Sequence, residues 1–138
     1  MGLGDCFFLP STLYSTILYS IEKEWFVRKE QLKWIIKYWS DDNGESSVEE
    51  WLNSLSIEQL KSVAKEMKLL ELCGNLLKLP HSRSLKKGLF ELRERNYGLR
   101  IYYAFLPNKT ILMLHAGNKK TQDKDIEIAR DRLVELSR

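Results

Sequence analysis

At 138 residues, 43% hydrophobic and 30% charged, with a formal net charge of +3, the chain is sized for one domain whose core needs no disulfide or metal staple. This balance is that of a globular chain and not of a disordered one, and no run of 18 apolar residues marks a membrane span. Cys6 and Cys73 form no CxxC, and with only two histidines they make no compact zinc cluster. Near the start, Phe7-Phe8-Leu9-Pro10 is preceded by Asp5 and followed by Ser and Thr, unlike a secretory signal, so the expected location is cytoplasmic.

Leu13, Ile17, Leu18 and Ile21 repeat at three- and four-residue spacing, which predicts an amphipathic helix over 11–30, a packing extension or a partner-binding arm. Residues 1–31 are assigned to this N-terminal extension and 32–138 to the main domain. Leu32 to Trp39 reads as an opening strand, and Asp41-Asp42-Asn43-Gly44 as the turn that ends it. Ser47 with Glu50 then offers a helix cap, and Ser56 with Gln59 a second. The second helix is predicted through about Leu72, with Leu60, Val63, Ala64, Met67 and Leu70 buried and Gly74-Asn75 as its stop. Leu76–Lys87, containing Pro80, reads as a connecting loop.

From Gly88 the period changes to two. Leu89–Arg95, Leu99–Leu106 and Thr110–Ala116 are strand-length, separated by Asn96-Tyr97-Gly98 and Pro107-Asn108-Lys109, which are hairpin connections. Thr121 or Asp123 caps a last helix with Ile126, Ala129 and Leu133 as its buried stripe. The expected fold class is α+β, in the order (α)–β–α–α–β–β–β–α.

Charge is unevenly spread along this order. Residues 75–124 hold eleven Lys or Arg against three Asp or Glu, a net +8, whereas residues 1–74 carry −4 and 125–138 carry −1. Such segregation implies a partner with repeated negative charge, first of all a nucleic-acid backbone. Strand alternation sets Glu91, Arg93 and Arg95 against Phe90 and Leu92, and Arg100 and Tyr102 against Ile101 and Tyr103. With His115 at the end of the third strand of this meander, Arg93, Arg100 and His115 are expected on one sheet face.

That trio suits cleavage of an RNA phosphodiester without a metal. The attacking group is the substrate's own 2′-hydroxyl, so the protein supplies a proton acceptor, a proton donor and cations for the phosphorane oxygens. Arg93 and Arg100 are candidate phosphate ligands. His115 is the candidate general acid or base, with phosphate binding and a structural role as alternatives. Lys119, Lys120 and Thr121, between a strand and a helix, are candidates for phosphate contact, and Lys86, Lys87 and Arg95 extend the track. Tyr97 and Tyr102 are candidate stacking surfaces for bases, Tyr102 equally a packing residue, and His81 is read as a surface residue or secondary RNA contact. The carboxylate pairs of glycosidases and two-metal nucleases are missing from the basic segment, and no phosphate-binding GxxxxGK[ST] loop is present.

Gly88-Leu89-Phe90-Glu91-Leu92-Arg93, Gly98-Leu99-Arg100-Ile101-Tyr102-Tyr103, Ile111-Leu112-Met113-Leu114-His115 and Lys119-Lys120-Thr121-Gln122, in this order, resemble the RelE/ParE toxin superfamily, and most closely its phage-derived Gp49-like or HigB branch. Trp34–Tyr38, Asn43-Gly44 and Ser47–Leu52 resemble that branch's opening strand and first helix, so the likeness spans about Lys33 to Leu136. It implies a RelE-like domain: an antiparallel-rich mixed sheet packed against an N-terminal helical hairpin and a C-terminal helix. It further implies a toxin of a type II toxin–antitoxin system, a ribosome-dependent mRNA endoribonuclease needing no cofactor or metal. Its partners would be mRNA on the ribosome and a helix-turn-helix antitoxin encoded by a neighbouring gene, with no membrane.

Carried over, the resemblance places phosphate and transition-state stabilisation on Arg93 and Arg100, proton transfer at His115, and RNA or proton-transfer roles on Lys119 and Lys120. The alternatives are a catalytically degenerate, nucleic-acid- or antitoxin-binding relative and a gyrase-inhibiting toxin. Two departures stand out. Gly117-Asn118 replaces the bulky apolar pair usual before the dilysine, which is expected to loosen Lys119 and Lys120. The first thirty or so residues exceed the compact toxins of that branch, and no role carries over to them.

Overall fold

The computed structural model describes residues 33–138, so the helix expected over 11–30 lies outside the described residues. Strand β1 (Ile35–Tyr38) leads through a turn to helices α1 (Ser47–Ser54) and α2 (Ile57–Cys73). Then follow β2 (Ser82–Ser84), β3 (Phe90–Glu94), β4 (Leu99–Leu106), β5 (Thr110–Asn118) and helix α3 (Gln122–Leu136). The five strands lie in the order β1-β5-β4-β3-β2. β1 runs parallel to β5 and every other pair is antiparallel, so the sheet is mixed and mostly antiparallel.

The sequence signals account for most of these boundaries. Asp41 Oδ1 accepts from the Asn43 and Glu45 amides and closes the turn after β1, with Gly44 in the left-handed region. Ser56 and Gln59 form the expected reciprocal capping box at the start of α2. Gly74 ends that helix at φ +54°, and a Cβ there would overlap the Trp34 indole, so two independent constraints select glycine.

Four expectations need correction. The cap of α1 is Ser46, whose side chain accepts from the Glu49 amide, rather than its neighbour Ser47. Leu60 and Ala64 are exposed, because α2 presents Val63, Leu70 and Cys73 to the sheet instead. Within the expected loop 76–87, Ser82–Ser84 pairs with β3 as a fourth antiparallel-bonded strand, a polar segment whose only structural signal is its partner. The last helix has no side-chain cap at Thr121; Asn118, three residues earlier, caps the short 3₁₀ turn Lys119–Thr121 that leads into it.

Each sheet face has its own core. On one side α1 and α2 cover Leu92, Leu99, Ile101, Tyr103, Ile111 and Met113. On the other, α3 covers Leu89, Tyr102, Ala104, Leu112 and Leu114 through Ile126, Ala129 and Leu133. This second core fills only the half of its face toward the Lys86–Gly88 turn, and the remaining half carries the charged residues.

Candidate functional site

Register decides which charged side chains meet. Arg93 pairs directly with Arg100, and Glu91 with Tyr102. Arg100 pairs with Gly117 and Tyr102 with His115. Residues paired across strands share a face, so these side chains all lie on the α3 side. His115 reaches that side only through a bulge. Tyr102 faces His115 while Tyr103 faces Met113, leaving Leu114 as the extra residue; strict alternation from Ile111 and Met113 would have turned the imidazole toward α1 and α2.

The centre of the charged half is Glu91, with no exposed surface. Arg83 Nη2 and Arg93 Nε approach its Oε1 at 3.2 and 3.7 Å, Arg100 Nε approaches Oε2 at 3.8 Å, and Gln122 Nε2 from α3 donates to Oε2 at 2.5 Å. Among the described residues three guanidinium groups thus share one carboxylate, an excess of two positive charges within the cluster. Among the described residues, Glu91 Oε1, Arg93 Nε, Arg100 Nε and the Tyr102 hydroxyl are buried without a hydrogen-bond partner. Such atoms carry a desolvation cost that an ordinary packed core avoids.

Arg100 is 5% exposed and its Nη1 donates to the Glu94 and Leu99 carbonyls, so the residue is built into the sheet. Arg93, half-buried, and Arg83, exposed, border solvent. Tyr102 is fully buried and shows no ring face to a base, which corrects its assignment as a stacking surface. Burial, followed by the charges of Glu91 and Asp125, pushes its phenol well above the usual range and keeps it neutral.

His115 has both ring nitrogens facing α3 side chains. Nε2 donates to Asp125 Oδ1 at 2.9 Å, which fixes the tautomer and leaves Nδ1 as the basic nitrogen. Arg132 Nη1 stands 3.3 Å from Nδ1, but its two hydrogens have closer acceptors in the Leu114 carbonyl at 2.6 Å and Ser47 Oγ at 2.9 Å. Burial lowers the Arg132 pKa, and its guanidinium lies 3.9 Å from the Trp39 ring centroid. Asp125 also accepts from Thr121 Oγ1, and a Cβ on Gly117 would overlap this carboxylate.

Gly117-Asn118 therefore ties down the backbone of the dilysine, in place of an apolar pair. Glycine admits Asp125, while Asn118 Oδ1 accepts from the Lys120 and Thr121 amides, and the Lys119 amide donates to the Gly98 carbonyl. Lys119 and Lys120, both exposed, line a cleft of about 570 Å³ with Gln59, Tyr97, Gly98, Leu99 and Asn118. The remaining expected contacts divide by position. Arg95 and Tyr97 follow the end of β3 near this cleft, whereas Lys86 and Lys87 lie at the other end, five strand residues or roughly 17 Å away. His81 is tied to Glu66 of α2 at 2.6 Å.

The sequence reading passed over Gln122, Asp125 and Arg132, although their spacing of three and seven residues, with Ala129 between, places them on the helix face that meets the sheet. Arg83 went unnoticed because β2 did. Among the described residues no group of His, Cys, Asp and Glu is arranged to hold a metal ion, and no helix is long and apolar enough to cross a membrane.

Fold and site define a small α+β domain whose sheet gathers three arginines around one buried carboxylate. The chain belongs to the family described as Phage derived protein Gp49-like, whose profile matches residues 50–134, from within α1 to near the end of α3. Among solved structures it is similar to the Escherichia coli toxin RelE, in a mutant with two arginines changed to alanine, in the free state. That similarity has a TM-score of 0.46 at 14% identity and covers 70% of this chain and 97% of that one. No curated protein matches the chain.

Proposed function

We propose that this protein is the toxin of a type II toxin–antitoxin pair and cuts mRNA on the ribosome, with a helix-turn-helix antitoxin as its inhibitor. The observation that carries this reading is the sharing of Glu91 by Arg83, Arg93 and Arg100, next to two exposed lysines. A phosphodiester supplies the missing negative charge, and its oxygens accept from guanidinium and ammonium groups. In the reaction the 2′-hydroxyl gives up its proton and attacks phosphorus, the bond to the 5′-oxygen breaks, and that oxygen takes a proton. The products are a 2′,3′-cyclic phosphate and a 5′-hydroxyl.

Arg93 and Arg83 are the solvent-facing phosphate ligands in this scheme, with Arg100 and Glu91 orienting them. Lys119 and Lys120 are the candidate donors to the leaving oxygen. His115 Nδ1, 3.3 Å from an Arg132 nitrogen whose hydrogens have closer acceptors, is the candidate proton acceptor. The clamped imidazole also supports a second reading, a toxin-like protein that binds RNA or antitoxin without proton transfer. Translation-coupled cleavage in the presence of EDTA separates the two. Site-specific mRNA ends from the wild type, reduced about 10²–10³-fold in Arg93→Ala, support the nuclease; intact mRNA in every case supports the binder.

A further inference from the structure

The cleft at the end of the sheet has a lining whose hydrogen-bonding sense is one-sided. The Gln59 amide oxygen accepts from the Ser56 amide in the capping box, and the hydrogens of Nε2 are the donors this side chain offers a ligand. The Asn118 side-chain oxygen is consumed by the Lys120 and Thr121 amides, which leaves Nδ2. Among the carbonyls, Gly98 accepts from the Lys119 amide and Leu99 from the Arg100 guanidinium. Two amide NH₂ groups and two ammonium groups remain, and among the described residues the only other side-chain hydrogen-bonding group in the lining is the Tyr97 hydroxyl.

Tyr97 is 48% exposed and is held from behind. Its amide and that of Asn96 donate to the buried Glu94 carboxylate, which also accepts from Ser62 of α2 and so fastens the β3–β4 turn to that helix. The cleft, of about 570 Å³, thus has an aromatic residue, two side-chain amides and two cations in its lining. A planar ligand that is anionic and rich in acceptors matches every part of it.

We infer that this cleft is a nucleotide subsite that selects keto bases, guanine or uracil, through Gln59 Nε2 and Asn118 Nδ2, with Tyr97 stacking on the base. The reading is of the edge that bears O6 and N7 in guanine and O4 in uracil; on that same edge the exocyclic amino groups of adenine and cytosine would face donors. The inference deepens the proposed RNA-cutting function by naming the base read beside the cut. A chain lying over the sheet end would place its base in the cleft and pass its phosphate along Lys119 and Lys120 toward Arg93.

Gln59→Glu provides a selective test. Glutamate preserves the capping box, since a carboxylate oxygen still accepts from the Ser56 amide, but it replaces the inward donor by an acceptor. Binding of GMP, UMP, AMP and CMP to the full chain is measured by NMR titration, without ribosomes, alongside thermal unfolding. The wild type is expected to bind GMP and UMP about tenfold more tightly than AMP and CMP, with shifts at Tyr97 and Lys119. The variant is expected to lose that preference with its melting temperature unchanged. Equal binding of all four nucleotides, no binding, or a preference that survives in the variant would overturn the subsite. Keto-base binding without mRNA cleavage would uphold it while removing the nuclease reading.

Discussion

The two faces of the sheet are built to different rules, and adjacent residues of β3 expose the contrast. Leu92 enters a closed apolar core beneath α1 and α2, where packing satisfies everything it touches. Arg93, the next residue, enters a cluster in which four buried polar atoms have no hydrogen-bond partner. The first face is optimised for stability, whereas the second gives up some of it to hold cations close together, as sites built for charged ligands do. Leu92→Ala should therefore lower the unfolding free energy by about 2–5 kcal/mol in urea titrations without changing intrinsic RNA affinity. Arg93→Ala should do the reverse: a stability change under about 1 kcal/mol, with Glu91 still paired to Arg83 and Arg100, and the larger loss in RNA cleavage or binding. Comparable stability losses in the two variants would erase the distinction between the faces.

A smaller effect probes how the charged half is sealed. At Gly117 α3 packs against β5 with no room for a side chain, since Asp125 occupies the space a Cβ would need. Gly117→Ala should push Asp125 away, uncouple it from His115 and Thr121, and cost about 1–3 kcal/mol. Loss of the His115 Nε2–H hydrogen bond in NMR spectra would check the mechanism. An unchanged imidazole signal would mean that Asp125 is not what holds the ring.

How far the sequence revealed this arrangement depends on the range of each interaction. Capping residues such as Ser56 and Gln59, the turn at Asp41–Gly44 and the period-two strands act over a few residues and were readable. β2 was not, because Ser82-Arg83-Ser84 is strand only by pairing with β3. The shared face of Arg93 and Arg100 follows from a tight hairpin, where register is nearly fixed by the turn. His115 joins them through a bulge that no pattern in β5 announces, and its ties to Asp125 and Arg132 depend on where α3 lands. The Asn118-to-Thr121 cap, by contrast, has an ordinary three-residue spacing and was hidden only by attention to the lysines between.

Tyr102 and Tyr103 sharpen the comparison at its finest scale, because they are consecutive, both fully buried, and point to opposite faces. On the apolar side the Tyr103 hydroxyl meets Ser82 Oγ at 2.5 Å, while on the charged side the Tyr102 hydroxyl has no hydrogen-bond partner among the described residues. Removing a satisfied hydroxyl strands its partner, so Tyr103→Phe should cost about 1 kcal/mol. Removing an unsatisfied one relieves a desolvation cost, so Tyr102→Phe should leave stability unchanged or raise it by up to about 1 kcal/mol. Matched denaturant midpoints measure both. If Tyr102→Phe instead destabilises the protein as much as Tyr103→Phe does, that hydroxyl is engaged in solution, and the charged half is as well satisfied as the apolar one.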